Sequence, residues 1–435
     1  MALGGGTFTL YNKVLPGTYI NFISQSKASV DLADRGYIAV AMELAYGAEN
    51  EIIELNNDNV LKNSLELLGY SYTDAELKPI RELLLNAKTV YLYRLSKNAV
   101  KASCKYGVAL YGGDRGNKLS IEIKNNVDDS QLKDVTTLMN GIVVDVQSVK
   151  TKDDLKDNKF VSFKKSDDLE QGVYTFTGGT NGDTITGNEY QEFLNKIDKY
   201  YFNILTTPTT DTSIKKLFVA YTKRMREEVG AKFQTILYRY NEADYEGVVS
   251  VQNKVLNETN EALGVLWIAG ALGGCPINKS CTNKKYDGEY TFELKENQQE
   301  LAEAKLSGKL ILHMVGDDVK ILSDINTFVS FRKDRTKDFS KNQTIRVLDQ
   351  LAIDMANLFN KKYLGLVPND GAGRTELWKD VVLLHEKYQQ LRAIENFTDK
   401  DIKVTSGEEK DQVVINDVII PVNCMEQLYM TVVVA

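Results

Sequence analysis

Two apolar runs near the N-terminus constrain the fold more than any other feature of the sequence. Residues 37–44 (YIAVAMEL) and 89–95 (TVYLYRL) have the length of β-strands and carry few polar side chains on either face. A strand that is apolar on both faces must be buried on both, which is typical of a parallel sheet covered by helices. Helical segments are predicted between the two runs, at 59–68 and 73–87. The sequence therefore predicts an α/β unit with a buried sheet.

Residues 96–177 have a different pattern, in which short alternating runs are separated by glycine, asparagine and aspartate. The runs are VALYGG, KLSIEIK, GIVVDVQSV, FVSFKK and VYTFTGG. Alternation with period two indicates strands, and turn residues at such close spacing are typical of an all-β domain. We predict a β-sandwich or small barrel that is inserted into the α/β unit.

The α/β pattern resumes after this insertion. Apolar residues at helical spacing alternate again with short strand-like runs. The predicted elements are helices at 190–199, 214–229 (closed by Gly230) and 257–273, and strands at 201–205, 232–238 and 248–251.

From residue 308 onward the sequence predicts an α+β region. A hairpin is expected around the Gly316-Asp317-Asp318 turn, followed by two amphipathic helices and then by strands in IKVTSG, QVVINDVIIPV and LYMTVVVA. The predicted apolar stripes are Ile345, Leu348, Ala352, Met355 and Phe359 on the first helix, and Leu377, Val381, Leu384, Tyr388 and Leu391 on the second.

The order of these patterns predicts a multi-domain chain of mixed α/β and α+β class. Its 435 residues are more than one hydrophobic core usually supports. The predicted parts are an N-terminal linking arm at 1–27, the N-terminal part of an α/β core at 28–95, an inserted β-sandwich-like domain at 96–177, an α/β middle domain at 178–307, and a C-terminal domain at 308–435 that ends in a linking strand.

The composition argues against several classes of function. The net charge is -7 and no basic block occurs, so a nucleic-acid partner is not expected. Only two histidines, His313 and His385, are present, which argues against a histidine general base and against zinc sites. The longest uncharged run, 262–278, is shorter than a spanning helix, so membrane insertion is not expected. Neither a cofactor nor a small-molecule substrate is predicted.

The four cysteines are interpreted as reduced thiols of a cytoplasmic product, because nothing at the N-terminus resembles a signal peptide. Cys275 and Cys281 have five residues between them, whereas metal knuckles have two, so a metal site is not expected there. Cys424 lies beside an apolar C-terminal strand and is expected to be packed.

Glycine clusters raise an alternative, a nucleotide- or anion-binding α/β enzyme. TGGTNG at 177–182 and GALGG at 270–274 are the richest, but neither has the Lys-Ser/Thr pair of a P-loop or the GxGxxG spacing. Such an enzyme would use Asn181, Gly182 or Arg374 near a strand end, so this alternative stays open. For Arg374 we favour a role in tying down its loop.

Strand-forming segments at both ends of the sequence have no evident partner within it. Residues 7–11 and 18–24 alternate with period two around a Pro-Gly break, and LYMTVVVA is strand-like throughout. A strand supplied to a neighbour's open sheet edge gains main-chain hydrogen bonds, so these segments predict head-to-tail self-assembly. The residues predicted to link subunits are Tyr19, Ile20, Phe22, Tyr429, Thr431 and Val433.

Several motifs, taken in order, resemble one known family. Those in the C-terminal third are INTFVSF, RVLDQLAIDM, KKYLGLVPNDGAGR and NCMEQLYMTVVV, and those before it are PGTYINF, RGYIAVAMEL, YGGDRGNKLSIEI and TGGTNG. Their order and spacing resemble contractile tail sheath proteins, in the version found in phages and phage-tail-like (R-type) bacteriocins of Gram-positive bacteria. The likeness spans nearly the whole chain.

The resemblance implies a structural protein that uses no cofactor or nucleotide. It implies rings of six subunits stacked helically around a tail tube, with both arms linking neighbours by strand exchange. It implies a metastable extended lattice that contracts, baseplate and tail terminator proteins as further partners, and a particle assembled in the cytoplasm of the bacterial host. Residues 325–435 would lie against the tube, where Lys361 and Lys362 are candidate contacts, and the β-rich insertion would face outward.

Overall fold

The computed structural model describes residues 32–434, and its first elements form part of a large sheet. They are β1 (Tyr37–Glu43), β2 (Ile52–Leu55), α1 (Asn57–Leu68), α2 (Lys78–Leu84) and β3 (Thr89–Leu95). The two apolar runs therefore form β1 and β3, which pair in parallel along their whole length, as predicted. Helix α1 begins after Asn56, because Asn56 and Asn59 each accept a hydrogen bond from the other's backbone N–H.

Residues 101–175 form a β-sandwich, which confirms that prediction. Its strands are β4 (Lys101–Ser103), β5 (Gly107–Gly112), β6 (Leu119–Asn125), β7 (Lys133–Met139), β8 (Ile142–Val149), β9 (Val161–Phe163) and β10 (Gly172–Thr175). They make a three-stranded sheet, β4-β5-β9, and a four-stranded sheet, β10-β6-β7-β8. The core between the sheets contains Tyr106, Ile121, Val135 and Phe176, all fully buried.

The chain enters and leaves the sandwich along two segments that lie side by side. Val100 and Thr180 exchange both main-chain hydrogen bonds, at 3.0 and 3.1 Å, and Ser103 and Thr177 form a second antiparallel bridge. The covalent connection of the insertion to the rest of the chain is therefore a single pair of adjacent segments.

Arg94, at the end of β3, fastens the sandwich to the sheet. Its side chain is buried and donates hydrogen bonds of 2.7 to 2.8 Å to the carbonyl oxygens of Leu44, Gly47 and Gly112. A guanidinium that is removed from water needs such acceptors on every face, so these contacts fix the orientation of the loop after β1 against β5.

The region after the sandwich supplies more strands of the large sheet and the helices that cover it. Its elements are α3 (Gly187–Ile197), β11 (Ile204–Thr206), α4 (Thr212–Arg224), β12 (Gln234–Tyr238), β13 (Val248–Val251), β14 (Val255–Leu256), α5 (Gly264–Gly274), β15 (Thr291–Phe292) and α6 (Gln298–Leu306). The predicted helix at 257–273 begins later than expected, at Gly264. The Asn260 side chain accepts from the N–H of Ala262 and donates to the carbonyl of Pro208, which favours a turn over a helix.

The C-terminal region combines two long helices with short strands. Its elements are β16 (Lys309–Leu310), β17 (Leu312–Val315), β18 (Asp318–Ile321), α7 (Asn342–Lys362), α8 (Gly371–Gln390), β19 (Ile394–Glu395), β20 (Ile402–Ser406), β21 (Val413–Asp417) and β22 (Ile420–Pro421). The predicted hairpin is confirmed as β17-β18. The predicted strand LYMTVVVA is not formed over residues 428–434, the part of it that the structure describes, because this segment pairs with no other strand there.

The large sheet has seven strands in the order β16-β13-β12-β11-β1-β3-β2, and only β2 is antiparallel to its neighbour. Helices α2 and α5 cover one face, where Trp267 is fully buried, and α3 and α4 cover the other, where Phe193 and Phe218 are buried. The C-terminal helices enclose a separate core around Val381 and Tyr388. The mixed α/β and α+β architecture is as predicted.

The predicted apolar stripe of α7 is only partly right. Ile345 is buried, but Leu348 and Ala352 are half-buried, and the apolar core of this helix is instead formed by Val347 and Leu351. The reason is that α7 is enclosed on several sides and also buries polar residues, namely Asn342, Gln343, Thr344, Arg346, Asp349, Gln350 and Asp354. Amphipathic periodicity presumes one buried face, and α7 has more than one.

Glu82 in α2 is a carboxyl group without exposed surface. It accepts hydrogen bonds from the hydroxyl of Tyr286, at 3.0 Å, and from the backbone N–H of Glu289. Burial raises its pKa to about 7, because the donors recover only part of the lost hydration. Below pH 7 the neutral carboxyl group of Glu82 is therefore the more stable form inside the fold.

We expect Glu82→Gln to remove a pH dependence of stability. An acid whose pKa rises from 4.5 to about 7 on folding contributes most below pH 4.5, and this contribution falls as the pH rises through 7. The loss is on the order of 3 kcal/mol, at about 1.4 kcal/mol per pKa unit. Urea unfolding at several pH values between 4.5 and 8 measures it, with Glu76→Gln at an exposed site as control. A variant that keeps the wild-type pH slope would contradict this assignment.

Candidate functional site

The segment after β22 runs along the start of α7 and is held there by its main chain. The carboxamide of Gln343, itself buried, donates to the carbonyl of Val422 at 3.0 Å and accepts from the N–H of Cys424 at 2.9 Å. The hydroxyl of Thr344 lies 3.3 Å from the Asn423 carboxamide oxygen. We call residues 422–426 the C-terminal root, because they attach the end of the chain to the body of the subunit.

Glu426 completes this root as the centre of an ionic cluster. Its carboxylate accepts from Lys341 at 2.5 Å and Lys305 at 3.0 Å, and from the hydroxyl of Thr282 at 3.0 Å. Burial opposes its ionisation, but the hydrogen bonds from the two lysines outweigh that effect and lower its pKa to about 2. The cluster therefore joins the C-terminal segment to α6 and to the start of α7.

Beyond Glu426, residues 427–434 are all exposed, and we call them the C-terminal arm. Tyr429 is 86% exposed and Val433 84%, and Thr431 is exposed as well. Within the described part of the chain, the backbone of the arm has no hydrogen-bond partner. The predicted linking residues of this end thus lie on an exposed, largely apolar segment, and their role in linking stays a prediction.

Among residues 32–434, the hairpin β20-β21 pairs with no third strand. The two strands pair with each other from Ile402 to Asp417, and each has a second backbone edge that its partner does not fill. Strand β20 packs on α8, where the indole N–H of Trp378 donates to the Ile402 carbonyl at 3.1 Å. A groove of about 460 Å³ lies at the start of β21, between Tyr363 and Val413.

The first described residues form a second attachment, the N-terminal root (residues 32–36). The N–H of Ala33 donates to the buried carboxylate of Asp354 at 2.7 Å, and its carbonyl accepts from Gln350 at 2.9 Å. Arg35 donates to the Gln350 side chain and to the carbonyl of Cys275, both at 3.3 Å. The predicted linking residues before this root, Tyr19, Ile20 and Phe22, lie outside the described residues.

The two lysines proposed to contact a tube lie at the end of α7. Lys361 is exposed, whereas Lys362 is half-buried and forms ion pairs with Asp380 at 2.6 Å and Glu376 at 3.1 Å. Lys362 is therefore already neutralised within the subunit. Contact with a tube stays a prediction for both.

The glycine clusters that raised the enzyme alternative are explained by packing. A side chain on Gly270 would come 2.5 Å from the carbonyl oxygen of Leu83, so GALGG lets α5 approach α2 closely. Asn181 accepts from the N–H of Asp114, inside the paired connection to the sandwich.

Arg374 lies in the first turn of α8 and does tie down the loop before it. Its guanidinium donates to the backbone and side-chain oxygens of Asn369, at 3.0 and 3.1 Å.

The histidines and cysteines likewise have structural surroundings. His385 is fully buried, with one ring nitrogen 2.8 Å from the carbonyl of Val381 and the other 2.9 Å from the Asp417 carboxylate. Cys424 is exposed, which contradicts the expected packing: its N–H is bonded by Gln343, while its thiol has only a long contact of 3.9 Å to the Asn278 carbonyl. Within residues 32–434 no group of three or more His, Cys, Asp or Glu side chains is arranged to hold a metal ion. No helix in that range is long and apolar enough to span a bilayer.

Family models match four consecutive parts of the chain. Residues 35–95 match the tail sheath protein Gp18 domain III N-terminal region, and 97–181 match the phage tail sheath protein beta-sandwich domain. Residues 183–327 match the phage tail sheath protein central domain, and 334–435 match the phage tail sheath C-terminal domain.

Relatives and solved structures agree with these matches. The uncharacterized protein YqbK of Bacillus subtilis (strain 168) is 30% identical to this chain over 473 residues, which cover 99% of both chains. The phage-like element PBSX protein XkdK of the same bacterium is 29% identical over 468 residues, which also cover 99% of both chains. The crystal structure of the sheath tail protein from Desulfitobacterium hafniense superimposes with a TM-score of 0.83 at 32% identity, over 95% of this chain and 99% of that one.

The chain therefore belongs to the contractile phage tail sheath family and is a structural sheath subunit. The resemblance seen in the sequence is confirmed. The fold also extends to more distant assemblies, since the helical sheath of the anti-feeding prophage in its contracted state has a TM-score of 0.57 at 12% identity, over 97% of this chain and 99% of that one.

The residues that build the two roots were not found from the sequence. Glu426 did leave a signal, because it is the only charged residue among 418–435. A single carboxylate in an otherwise uncharged strand indicates a specific partner, since an unpaired charge there would oppose strand pairing. Gln343 and Gln350 left no signal, because amides are common on exposed helix faces.

We expect Glu426→Gln to lower the free energy of unfolding by roughly 3 kcal/mol at neutral pH, which is the energy of a pKa shift from 4.5 to about 2. A carboxyl group with a depressed pKa stabilises the fold above pH 4.5 and loses that effect as the pH falls toward 2. The difference between variant and wild type should therefore shrink over this range. Urea unfolding at neutral pH and near pH 3 measures it, with Glu408→Gln in the exposed turn after β20 as control. An equal difference at both pH values would contradict the ionic cluster.

Proposed function

We propose that this chain forms the sheath of a contractile tail, assembling as stacked rings of six subunits around a tail tube. The observation that carries this proposal is the C-terminal arm, an exposed strand-like segment that begins at a firmly held root. A partner strand on another subunit would satisfy its backbone and cover its apolar side chains. Membership of the sheath family supports this assembly and a role without catalysis.

Strand exchange would link subunits by burying the apolar side chains of the arm. If one arm buried on the order of 400 Å² of apolar surface, the gross gain would be about 10 kcal/mol. Loss of translational freedom and ordering of the arm would offset a large part of it. The acceptor that we propose is the hairpin β20-β21, because it has open edges and Val414 on it is 43% exposed. Residues 1–27 would form a second link, from Tyr19, Ile20 and Phe22.

The remaining partners follow from this architecture. A sheath must contact its tube and must start and end on other tail proteins, so we propose a tail tube protein, a baseplate protein and a terminator protein as partners. Similarity to the anti-feeding prophage baseplate assembly supports the second of these. Lys361 is the better candidate for tube contact, because Lys362 is already paired. The particle, a phage or a phage-tail-like bacteriocin, would be assembled in the cytoplasm of its bacterial host.

Removal of the C-terminal arm should abolish assembly and leave a folded subunit. The purified chain is expected to form rings or hollow cylinders in negative-stain electron microscopy, with tail proteins co-expressed if nucleation requires them. Deletion of residues 428–435 should prevent this without changing the melting temperature by more than a few degrees, because the arm makes few contacts within the subunit.

A substitution tests the same point more gently. Thr431→Pro removes a backbone donor in the middle of the arm, whereas the control Thr431→Val keeps the donor and the preference for strand. The proline variant should assemble poorly and the valine variant normally. If both Thr431→Pro and the deletion polymerised like the parent, strand exchange through this arm would be wrong.

Contraction should proceed once, without nucleotide or metal. The work would come from new contacts between subunits: on the order of 100 Å² of additional apolar burial gives about 2.5 kcal/mol per subunit before offsets. Summed over many subunits, this makes the contracted state effectively irreversible, while a kinetic barrier holds the extended state. Tails triggered by acid or denaturant in EDTA should contract and should stay contracted when the buffer is restored. A requirement for ATP, or re-extension, would disprove this mechanism.

A further inference from the structure

We propose that helix α7 positions both linking arms, because one polar stripe on this helix holds the C-terminal root and the N-terminal root together. The stripe consists of Gln343, Gln350 and Asp354. This inference rests on the proposed function for its meaning in the assembly. Its structural content, that α7 holds both roots, can be tested on the isolated subunit.

The spacing of the three side chains places them on one face of the helix. Residues 343, 350 and 354 are separated by seven and four positions, and at 100° per residue they point within about 40° of one another. Gln343 and Gln350 are about 10 Å apart along the axis, at about 1.5 Å per residue. The two roots are therefore close neighbours in space, although more than 380 residues separate them in the sequence.

Each root is held by its backbone and not by its side chains alone. Gln343 bonds the carbonyl of Val422 and the N–H of Cys424, and the Gln350–Asp354 pair bonds the carbonyl and the N–H of Ala33. A carboxamide that bonds both backbone groups of an extended segment fixes its direction as well as its position. Each root is therefore fixed in direction as well as in position.

Helix α7 is joined to the α/β core by two buried ion pairs. Asp349 forms a two-fold ion pair with Arg226 at 2.7 and 2.8 Å, and Arg346 bonds Asp324 at 3.1 Å, all four side chains being buried. These pairs lie on α7 between or beside the two roots. In our proposal, both roots and the core therefore keep one arrangement, because all three are bonded to the same helix.

The consequence is that any bending during a change of lattice must occur outside the roots. On the C-terminal side, the first such position is Gln427, where the contacts of Glu426 end. We infer that the roots keep their geometry in both lattice states, and that the angle between the two links of one subunit is set by α7.

The test uses Gln343→Ala, Gln350→Ala and the control Asn360→Ala, an exposed amide on the same helix. Amide hydrogen exchange of the full-length free subunit is followed by mass spectrometry. We expect exchange at least 10-fold faster in residues 422–426 for Gln343→Ala, and in 32–36 for Gln350→Ala, with neither change in the control. Gln350→Met, which keeps much of the side-chain volume but donates no hydrogen bond to Ala33, should show the same faster exchange and serves if the alanine variant does not fold. Unchanged exchange at either root would overturn the assignment to α7.

The same variants are then assembled, and helical rise and twist are measured by electron cryomicroscopy. We expect the two root variants to give shorter or irregular sheaths, and Asn360→Ala to give wild-type parameters. Loosened roots combined with a normal lattice would show that α7 does not position the arms. Failure of the wild-type chain itself to assemble, with the exchange results as expected, would count against the proposed function and leave the structural role of α7 intact.

Discussion

Helix α7 carries charged and amide side chains into the interior, and the arrangement of the C-terminal half depends on how these groups are paired. A buried ion without a partner costs several kcal/mol, so the pairs Arg226–Asp349 and Arg346–Asp324 permit only one position of the helix against the core. The amides of the same helix then hold both ends of the described chain. The requirement to satisfy buried polar groups thus fixes the fold and, in our proposal, the links between subunits.

The described subunit has a part whose side chains are packed in its own cores and a part whose side chains are exposed. The seven-stranded sheet, covered on both faces, and the core of α7 and α8 are closed by their own contacts. The C-terminal arm gains almost nothing from its own subunit, because its side chains face solvent and its backbone is unpaired among residues 32–434. This division is what our proposal of linked sheath subunits requires, and the chain belongs to the sheath family.

The sequence predicted those features that depend on local periodicity. The apolar runs predicted strands β1 and β3, and the alternating runs predicted the sandwich. The family motifs predicted the class of protein. The stripe of α7 was partly wrong, because periodicity cannot tell a helix with one buried face from one that also buries ion pairs. The packing of Cys424 was wrong because an apolar neighbourhood in sequence need not be buried. The roots were missed since their contacts join residues far apart in the chain, such as Ala33 and Asp354. The domain limits and the linking residues stay predictions.

The paired connection between the sandwich and the sheet has a consequence for how such chains diversify. The segment that enters the domain and the segment that leaves it are hydrogen-bonded to each other at Val100 and Thr180. The two points at which the domain joins the rest of the chain are therefore adjacent. Removing the domain would leave the ends of the chain only a short gap to bridge, and all seven strands of the large sheet come from outside it. A replacement would also have to supply an acceptor in place of the Gly112 carbonyl, because the buried guanidinium of Arg94 donates to it. Natural selection can therefore exchange the sandwich for another domain, provided that the new domain meets this requirement.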